Sequence, residues 1–345
     1  MLEDVYCRTV LMYTAHFWHV AGSRSKLVPG SDYNPHSTIL VPTTSPWHRG
    51  YKLLYNGRGV GTTWESPQTC PRRSAPTPLP SEKTENIVRP SRKPQSRTKA
   101  IIRWAALFVL HYLIFCLWEE FRWTAFLQLE NSDIDPEKEV LIRRLLGIYP
   151  NTVDLHEISI RLRMVINFVL SDYLKLSMMH SFCAIIFVGL KIDEPSEWPP
   201  MFGSLPVRSV RAFWSQFWHT LVYPGGISHA KLVLGLVGLT GSGPGMRFLK
   251  NWMVFAISSV LHGLVDIHLM DCGATRSIYW WWMQPFAFVA EEMVAQAWKK
   301  AMSRYREWKI VQWFEVVAGC TWVFAWFFWS VPKMVYPLYN CQSYS

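Results

Sequence analysis

The chain has 345 residues, half of them hydrophobic and 15% aromatic, with 19 tryptophans and 17% charged residues; an ordinary soluble domain carries about a quarter charged. The formal net charge is +10 and the mean hydropathy +0.06, an average over a polar, proline-rich stretch at 1–100 and an apolar remainder. This composition excludes extensive disorder, fibrous repeats and a disulfide scaffold, and it fits a polytopic membrane protein with one long soluble segment.

The start, Met1-Leu2-Glu3-Asp4, lacks the basic opening of a signal peptide, and the apolar stretch Val10–Val20 is broken by Thr14, His16 and His19. Seven prolines fall between Pro67 and Pro94 among Ser, Thr and basic residues. Such a segment cannot bury a core and reads as a solvated linker. Gly57-Arg58-Gly59-Val60-Gly61 lacks the last glycine and the flanking strand and helix of a nucleotide loop, so it reads as a tight turn. The division expected is an irregular soluble segment at 1–100 and a membrane-embedded domain at 101–335.

Ile101–Trp118 is a spanning candidate, apolar except for Arg103 and His111. Met164–Leu190 is apolar but interrupted by Ser171-Asp172 and Lys175, which leaves one tilted span or two broken halves. In 207–223, Phe213, Trp214, Phe217, Trp218 and Leu221 share one helical face, with Arg208, Arg211 and Ser215 off the stripe. This reads as an interfacial amphipathic helix. Lys231–Leu239 is short and ends in a glycine-rich break. Three further apolar segments follow: Trp252–Met270, Ile278–Trp298 and Val311–Ser330. The expected fold class is all-α, a polytopic membrane helix bundle.

Cys116, Cys183 and Cys320 lie in apolar runs without a CxxC pair and read as small buried hydrophobes. No His, Cys or Glu set has metal-ligand spacing, so neither metal nor resident cofactor is expected. The positive charge lies beside apolar runs. Residues 71–103 carry nine Lys/Arg against two acids, and 299–309 carry Lys299, Lys300, Arg304, Arg306 and Lys309 against Glu307. That arrangement disfavours nucleic acid as a partner and orients helices in a bilayer, placing both stretches in the cytosol. The span at 101 then exits, 164 returns, 252 exits, 278 returns and 311 exits. Arg161 and Arg163 fall on the far side, against the trend.

Within Trp252–Met270, Ser258, His262 and Asp266 stand at i, i+4 and i+8, on one helical face. An ionisable group in mid-span is costly unless it faces protein interior or a wet cavity. Neutral imidazole there can take a proton from an alcohol, with Asp266 one turn on to orient it. The alternative is a structural interhelical hydrogen bond. His219 closes Phe213-Trp214-Ser215-Gln216-Phe217-Trp218-His219 on the cytosolic side; by itself it fits an interfacial aromatic belt.

Phe213-Trp214-x-x-Phe217-Trp218-His219, followed by Phe255-x-x-Ser258-Ser259-x-x-His262-Gly263, resembles the wax-synthase-like branch of the membrane-bound O-acyltransferases. The fungal members that acetylate terpenoid and meroterpenoid alcohols are the most similar. Tyr55-Asn56-Gly57-Arg58-Gly59-Val60-Gly61-Thr62 is similar to an upstream loop of that group, and Glu291-Glu292-Met293-Val294-Ala295-Gln296-Ala297-Trp298 to a later acidic element. Members usually carry further hydrophobic spans upstream of that loop; this sequence departs from them in having only the weak Val10–Val20 stretch there.

The resemblance implies an all-helical bundle around a reaction chamber in a multi-pass protein of the endoplasmic reticulum. Acyl-CoA, with acetyl-CoA foremost, would enter from the cytosol as co-substrate, and a hydrophobic small-molecule alcohol laterally or from the other side. His262 would be the general base, and His219 would position or polarise the thioester. Trp214 and Trp218 are expected at the membrane interface, walling the acyl-CoA entrance, with Arg208 and Arg211 wet and near the CoA phosphates. Ser258 and Asp266 are expected to line the substrate site. Long-chain wax-ester formation and a non-enzymatic transporter are the alternatives, the latter without the repeated halves common to such proteins.

Overall fold

The computed structural model describes residues 95–342 apart from 127, 150–151, 220–222, 242, 271–273 and 306. The Val10–Val20 stretch, the 55–62 loop and the proline-rich tract lie outside the described residues. Those described form helices and turns, without a strand. The α-helices are α1 (Arg97–Phe121), α2 (Leu141–Leu145), α3 (Leu155–Gly189), α4 (Val210–Ala212), α5 (Tyr223–Leu236), α6 (Pro244–Met270), α7 (Ala274–Ala301) and α8 (Lys309–Gln342).

Five of these have 25 to 35 residues. At a rise of about 1.5 Å per residue each exceeds the roughly 30 Å hydrocarbon core. Three segments are also apolar enough to cross it: Arg97–Phe121, Pro244–Ile267 and Lys309–Asn340. Helices α3 and α7 are long enough but carry their polar residues inside the sequence, Asp172 and Lys175 in one, Gln284, Glu291 and Glu292 in the other. Met164–Leu190, which the sequence left as one span or two halves, lies in one continuous helix up to Gly189. Helix α5, with 14 residues, is too short to span. It ends in the expected glycine-rich break, where Gly238 (φ +73°) and Gly241 (φ +151°) take backbone conformations open chiefly to glycine.

Helix α1 shows what the apolar exterior is for. It buries Ala100, Trp104 and Phe115, while Val109, Leu110, Leu113 and Leu117 point outward. Apolar surface on this scale requires lipid as solvent. Cys116 lies on that outer face. This corrects its expected burial: among the described residues α1 packs mainly against α3, so a residue in an apolar run need not be inside. Cys183 and Cys320 are half-buried, and all three are free thiols.

Helices α1 and α3 run antiparallel. Trp104 packs with Ala184 and Val188, and the Trp118 indole N–H donates to Ser171 Oγ at 2.9 Å. Arg97 closes this end through Asp193 O (2.9 Å) and Glu194 (2.7 Å). Asp154 caps the other end of α3. Its side chain accepts from the Glu157 N–H at 2.6 Å, and that bond holds the carboxyl below the usual aspartate range.

At this far end the polar 128–154 connection is tied into the bundle by a buried ion cluster. Glu157 meets Arg144 at 2.7 Å and Arg161 at 3.0 Å, and Arg161 also donates to Lys138 O. Arg276 of α7 lies 3.4 Å from Glu139, Lys333 of α8 donates to Glu139 O at 3.3 Å, and Asn340 donates to Ile134 O at 2.8 Å. Burial pushes the Glu139 carboxyl up, and the cations around it pull it back. Arg161 is fully buried and paired. Its position on the far side therefore does not oppose the charge rule, which concerns cations exposed at helix ends. Arg163 donates to Phe126 O at 3.2 Å.

Candidate active site

The face Ser258–His262–Asp266 of α6 lines a cavity, as its spacing predicts. The His262 ring lies flat on the Trp281 indole of α7, with centroids 4.2 Å apart and planes 13° from parallel. Ser259, one residue off this face, is fully buried and binds α7 instead: its Oγ accepts from the Trp282 indole at 2.7 Å. The two adjacent serines thus divide, one to the chamber and one to the helix interface. The side chain of His268 lies outside the described residues.

The aromatic motif departs from the expected interfacial helix. Ser209 caps α4 by accepting from the Ala212 N–H at 2.9 Å, and Phe213–Phe217 then widens into one π-helical turn. The turn closes with the Trp218 N–H on Phe213 O at 2.7 Å. Such turns occur often at functional sites. Phe213, Phe217 and Trp218 are buried in the main core with Trp280, Trp281 and Phe327. Trp218, 5% exposed, is therefore a core residue and not an interfacial one. For Trp214 the protein supplies the polar partner an interfacial indole would otherwise seek in headgroups. Gln284 of α7, fully buried, offers its Oε1 to the N–H of Trp214 at 3.3 Å and of Trp326 at 2.9 Å.

Three further residues fix the turn and the segment leading into it. Glu291 accepts from the N–H groups of Val210 and Arg211, the latter at 3.2 Å, and from the Trp322 indole at 2.8 Å. Gly203 donates to Phe217 O at 2.8 Å, and a Cβ there would land on Gln216 O. Gly319 of α8 approaches Arg208 so closely that a Cβ would strike Arg208 O.

Two cavities meet at this turn. Trp214, Trp218, His219, Ser258, His262 and Trp281 line both. The outer cavity, about 260 Å³, extends to Arg211, Tyr223, Asn251, Val254 and Phe288. The inner one, about 300 Å³, extends to Glu119 and Arg122 at the end of α1, to Asn167, Asp172 and Lys175 on α3, and to Leu338 and Tyr339 on α8. Of the residues singled out from sequence, both histidines, both tryptophans and Ser258 line the two cavities, Asp266 the inner and Arg211 the outer. Arg208 is exposed and lines neither. Arg211 is exposed as expected, but it sits 3.4 Å from Glu292 and donates to Phe288 O at 3.1 Å. An arriving phosphate would have to share it with that carboxylate. Among the described residues no group of three His, Cys, Asp or Glu side chains could hold a metal.

Sequence reasoning missed Trp281, Gln284 and the charged inner lining. Trp281 stands in a run of three tryptophans, which hides which of them faces the chamber. Asp172 and Lys175 did carry a signal: charge inside an otherwise apolar run is expensive in a membrane and tends to face a cavity.

Residues 198–289 match the membrane bound O-acyl transferase family. That stretch begins before the aromatic turn, contains α6 and ends within α7. The chain is 26% identical to acetyltransferase fsoF of Humicola fuscoatra over 60% of its length and 52% of the relative's. It is 25% identical to acetyltransferase ataH of Aspergillus terreus over 87% of this chain and 90% of that one. To acetyltransferase atnC of an Arthrinium species it is 28% identical over 92% of this chain and 66% of the relative. The chain thus spans about half the length of fsoF and most of ataH. No solved structure matches it.

Proposed function

We propose that this chain, whose residues 198–289 match the membrane bound O-acyl transferase family, transfers an acyl group, acetyl foremost, from coenzyme A to a hydroxyl of a terpenoid-type secondary metabolite. One observation carries the reading: two cavities share a wall that holds His219, Ser258 and His262. A reaction between two separately entering substrates needs this arrangement. Holding both reactants at one wall converts a bimolecular encounter into an effectively unimolecular step.

In this reading the thioester enters the outer cavity, past Arg211, and the alcohol occupies the inner one. His262 takes the hydroxyl proton, the alcohol oxygen attacks the thioester carbonyl, and the carbon–sulfur bond breaks. The thiolate leaves and receives the proton from the imidazolium, so no covalent enzyme intermediate is required. His219 positions or polarises the thioester carbonyl. Trp281 limits the tilt of the His262 ring by stacking on it. The hydroxyl of Ser258 and the carboxylate of Asp266 complete the polar face on either side of the base. We infer a multi-pass protein of the endoplasmic reticulum with its outer cavity open to the cytosol, where acyl-CoA is found.

The test is to supply isolated membranes with labelled acetyl-CoA and long-chain acyl-CoA, together with candidate terpenoid alcohols, and to identify esters by mass spectrometry. Acetyl esters that depend on His262 are expected. Long-chain esters alone would replace the acetyl reading with wax-ester formation. No ester from any pairing would remove the acyltransfer reading.

A further inference from the structure

We propose that the hairpin joining α7 and α8 is a docking surface for anionic phospholipid headgroups, held by Lys299, Lys300, Arg304 and Lys309. The proposal goes beyond the acyltransfer reading and does not depend on it.

The contrast between two sets of cations carries the argument. Elsewhere in the bundle the protein neutralises its own. Arg144 and Arg161 pair with Glu157, and Arg276 with Glu139. Arg97 has Glu194, and Arg211 has Glu292. The hairpin is treated differently. Lys299, Lys300, Arg304 and Lys309 are all exposed, and among the described residues no carboxylate lies within ion-pair reach of them. Glu315, the nearest acid along α8, is taken by the Trp298 indole at 2.9 Å.

Apolar side chains lie between these cations. Tyr305 and Trp308 are both exposed, with ring centroids 5.0 Å apart. Ile310, Trp313, Phe314 and Val317 follow at i, i+3, i+4 and i+7 of α8, and all are exposed. That stripe faces lipid, and it begins one residue after Lys309. Lys309 and Trp308 therefore stand where hydrocarbon meets headgroups, a level that suits lysine and tryptophan at helix ends. The backbone suits it too. The N–H groups of Met302, Tyr305 and Trp308 donate to Trp298 O, Met302 O and Tyr305 O at 2.8, 3.0 and 3.0 Å. Turns satisfied in this way lose little when they settle into the interface.

A soluble polyanion would meet the cations and leave the exposed rings in water. A phospholipid uses both features: its phosphate meets the cations, and its chains cover Trp308 and the α8 stripe. Clusters of cations beside a span are matched to the anionic lipids of the cytosolic leaflet, and the orientation read from charge turns this end toward it. A headgroup with net negative charge is favoured over a zwitterionic one by about two- to fivefold, the range for exposed ion pairs.

The experiment replaces Trp308 by the photoreactive p-benzoylphenylalanine in the full chain. The protein is placed in nanodiscs that hold equal fractions of phosphatidylserine and isotope-labelled phosphatidylcholine with identical chains. Adducts are counted by mass spectrometry after illumination. Phosphatidylserine is expected to exceed phosphatidylcholine by about two- to fivefold. The same probe at Leu117, exposed near the far end of α1, should capture both equally. Lys299→Gln, Lys300→Gln, Arg304→Gln and Lys309→Gln together should bring the ratio at 308 to one. So should salt near 1 M, where the screening length falls to about 3 Å. Equal capture with the cations intact overturns the proposal, and that comparison needs no charge variant to fold. A preference that survives the four glutamines also overturns it. So does added acyl-CoA that abolishes the preference and is itself captured, since the surface would then collect coenzyme A and not lipid. The readout forms no ester, so its failure is separate from any failure of the acyltransfer reading.

Discussion

At the residue scale the sharpest expectation concerns His262. It sits in mid-helix on α6, stacked on Trp281 and lining both cavities. General-base assistance is worth on the order of a hundred- to ten-thousand-fold in rate. His262→Ala is expected to lower turnover by about that factor in membranes where the protein is still inserted. His262→Gln keeps hydrogen bonding but cannot accept the proton, so it should be as slow as alanine. Near-native turnover in the glutamine variant would make the residue structural. His219→Ala should be milder, since it is asked only to position or polarise. Arg211→Ala should raise the KM for acyl-CoA and spare that for the alcohol. An effect confined to the alcohol would reassign the outer cavity. The polar face around His262 was legible because a helix stacks i, i+4 and i+8 whatever surrounds it. Its stacking partner was not, because which of three consecutive tryptophans faces inward depends on how α7 is rotated against α6.

At the element scale the aromatic motif was legible as a helical face, since Phe213 and Phe217 do turn to the same side. Its destination was misread. Amphipathicity says that one face avoids water, and it does not distinguish lipid from protein core. Trp218 is decided by its packing in the aromatic core and Trp214 by the partner of its indole N–H, and Gln284 lies some seventy residues downstream on another helix. Gln284→Leu would leave the N–H groups of Trp214 and Trp326 unsatisfied, at a cost of about 1–3 kcal/mol each. The expected result is a lower melting temperature in detergent and a shifted Trp214, read as a fall in kcat larger than the rise in KM. Gly203→Ala should act on the same turn from outside. Its new methyl would push Gln216 away, an overpacking worth about 1–3 kcal/mol. Unchanged melting and turnover in both variants would show that the turn is not held as described.

At the scale of the whole molecule, two basic stretches were enough to write an orientation, and the packing shows which helix ends lie together through contacts that no charge count contains. Arg97 at the start of α1 binds Glu194 just beyond the end of α3, which puts those two ends together. The start of α3 joins the ion cluster that also receives Arg276 from the start of α7 and Lys333 from the last third of α8. The end of α7 and the start of α8 meet where the Trp298 indole donates to Glu315 at 2.9 Å. Following the helices, Arg97, Lys99 and Arg103 lie at the same end of the bundle as Lys299, Lys300 and Lys309. Helix packing thus puts the cations of α1 and those flanking the α7–α8 connection at one end, and charge asymmetry alone assigns that end to the cytosol. What stayed illegible is why the far end tolerates arginine: Arg144 and Arg161 are neutralised by Glu157, a pairing set by tertiary structure. Single cysteines placed within 71–100 and within 299–309, in a chain cleared of its native thiols, should react with an impermeant maleimide from the same side. A cysteine in the 128–140 connection should react only from the opposite side. If the two basic stretches label from opposite faces, the bundle cannot be threaded as described, and the outer cavity loses its access to cytosolic acyl-CoA.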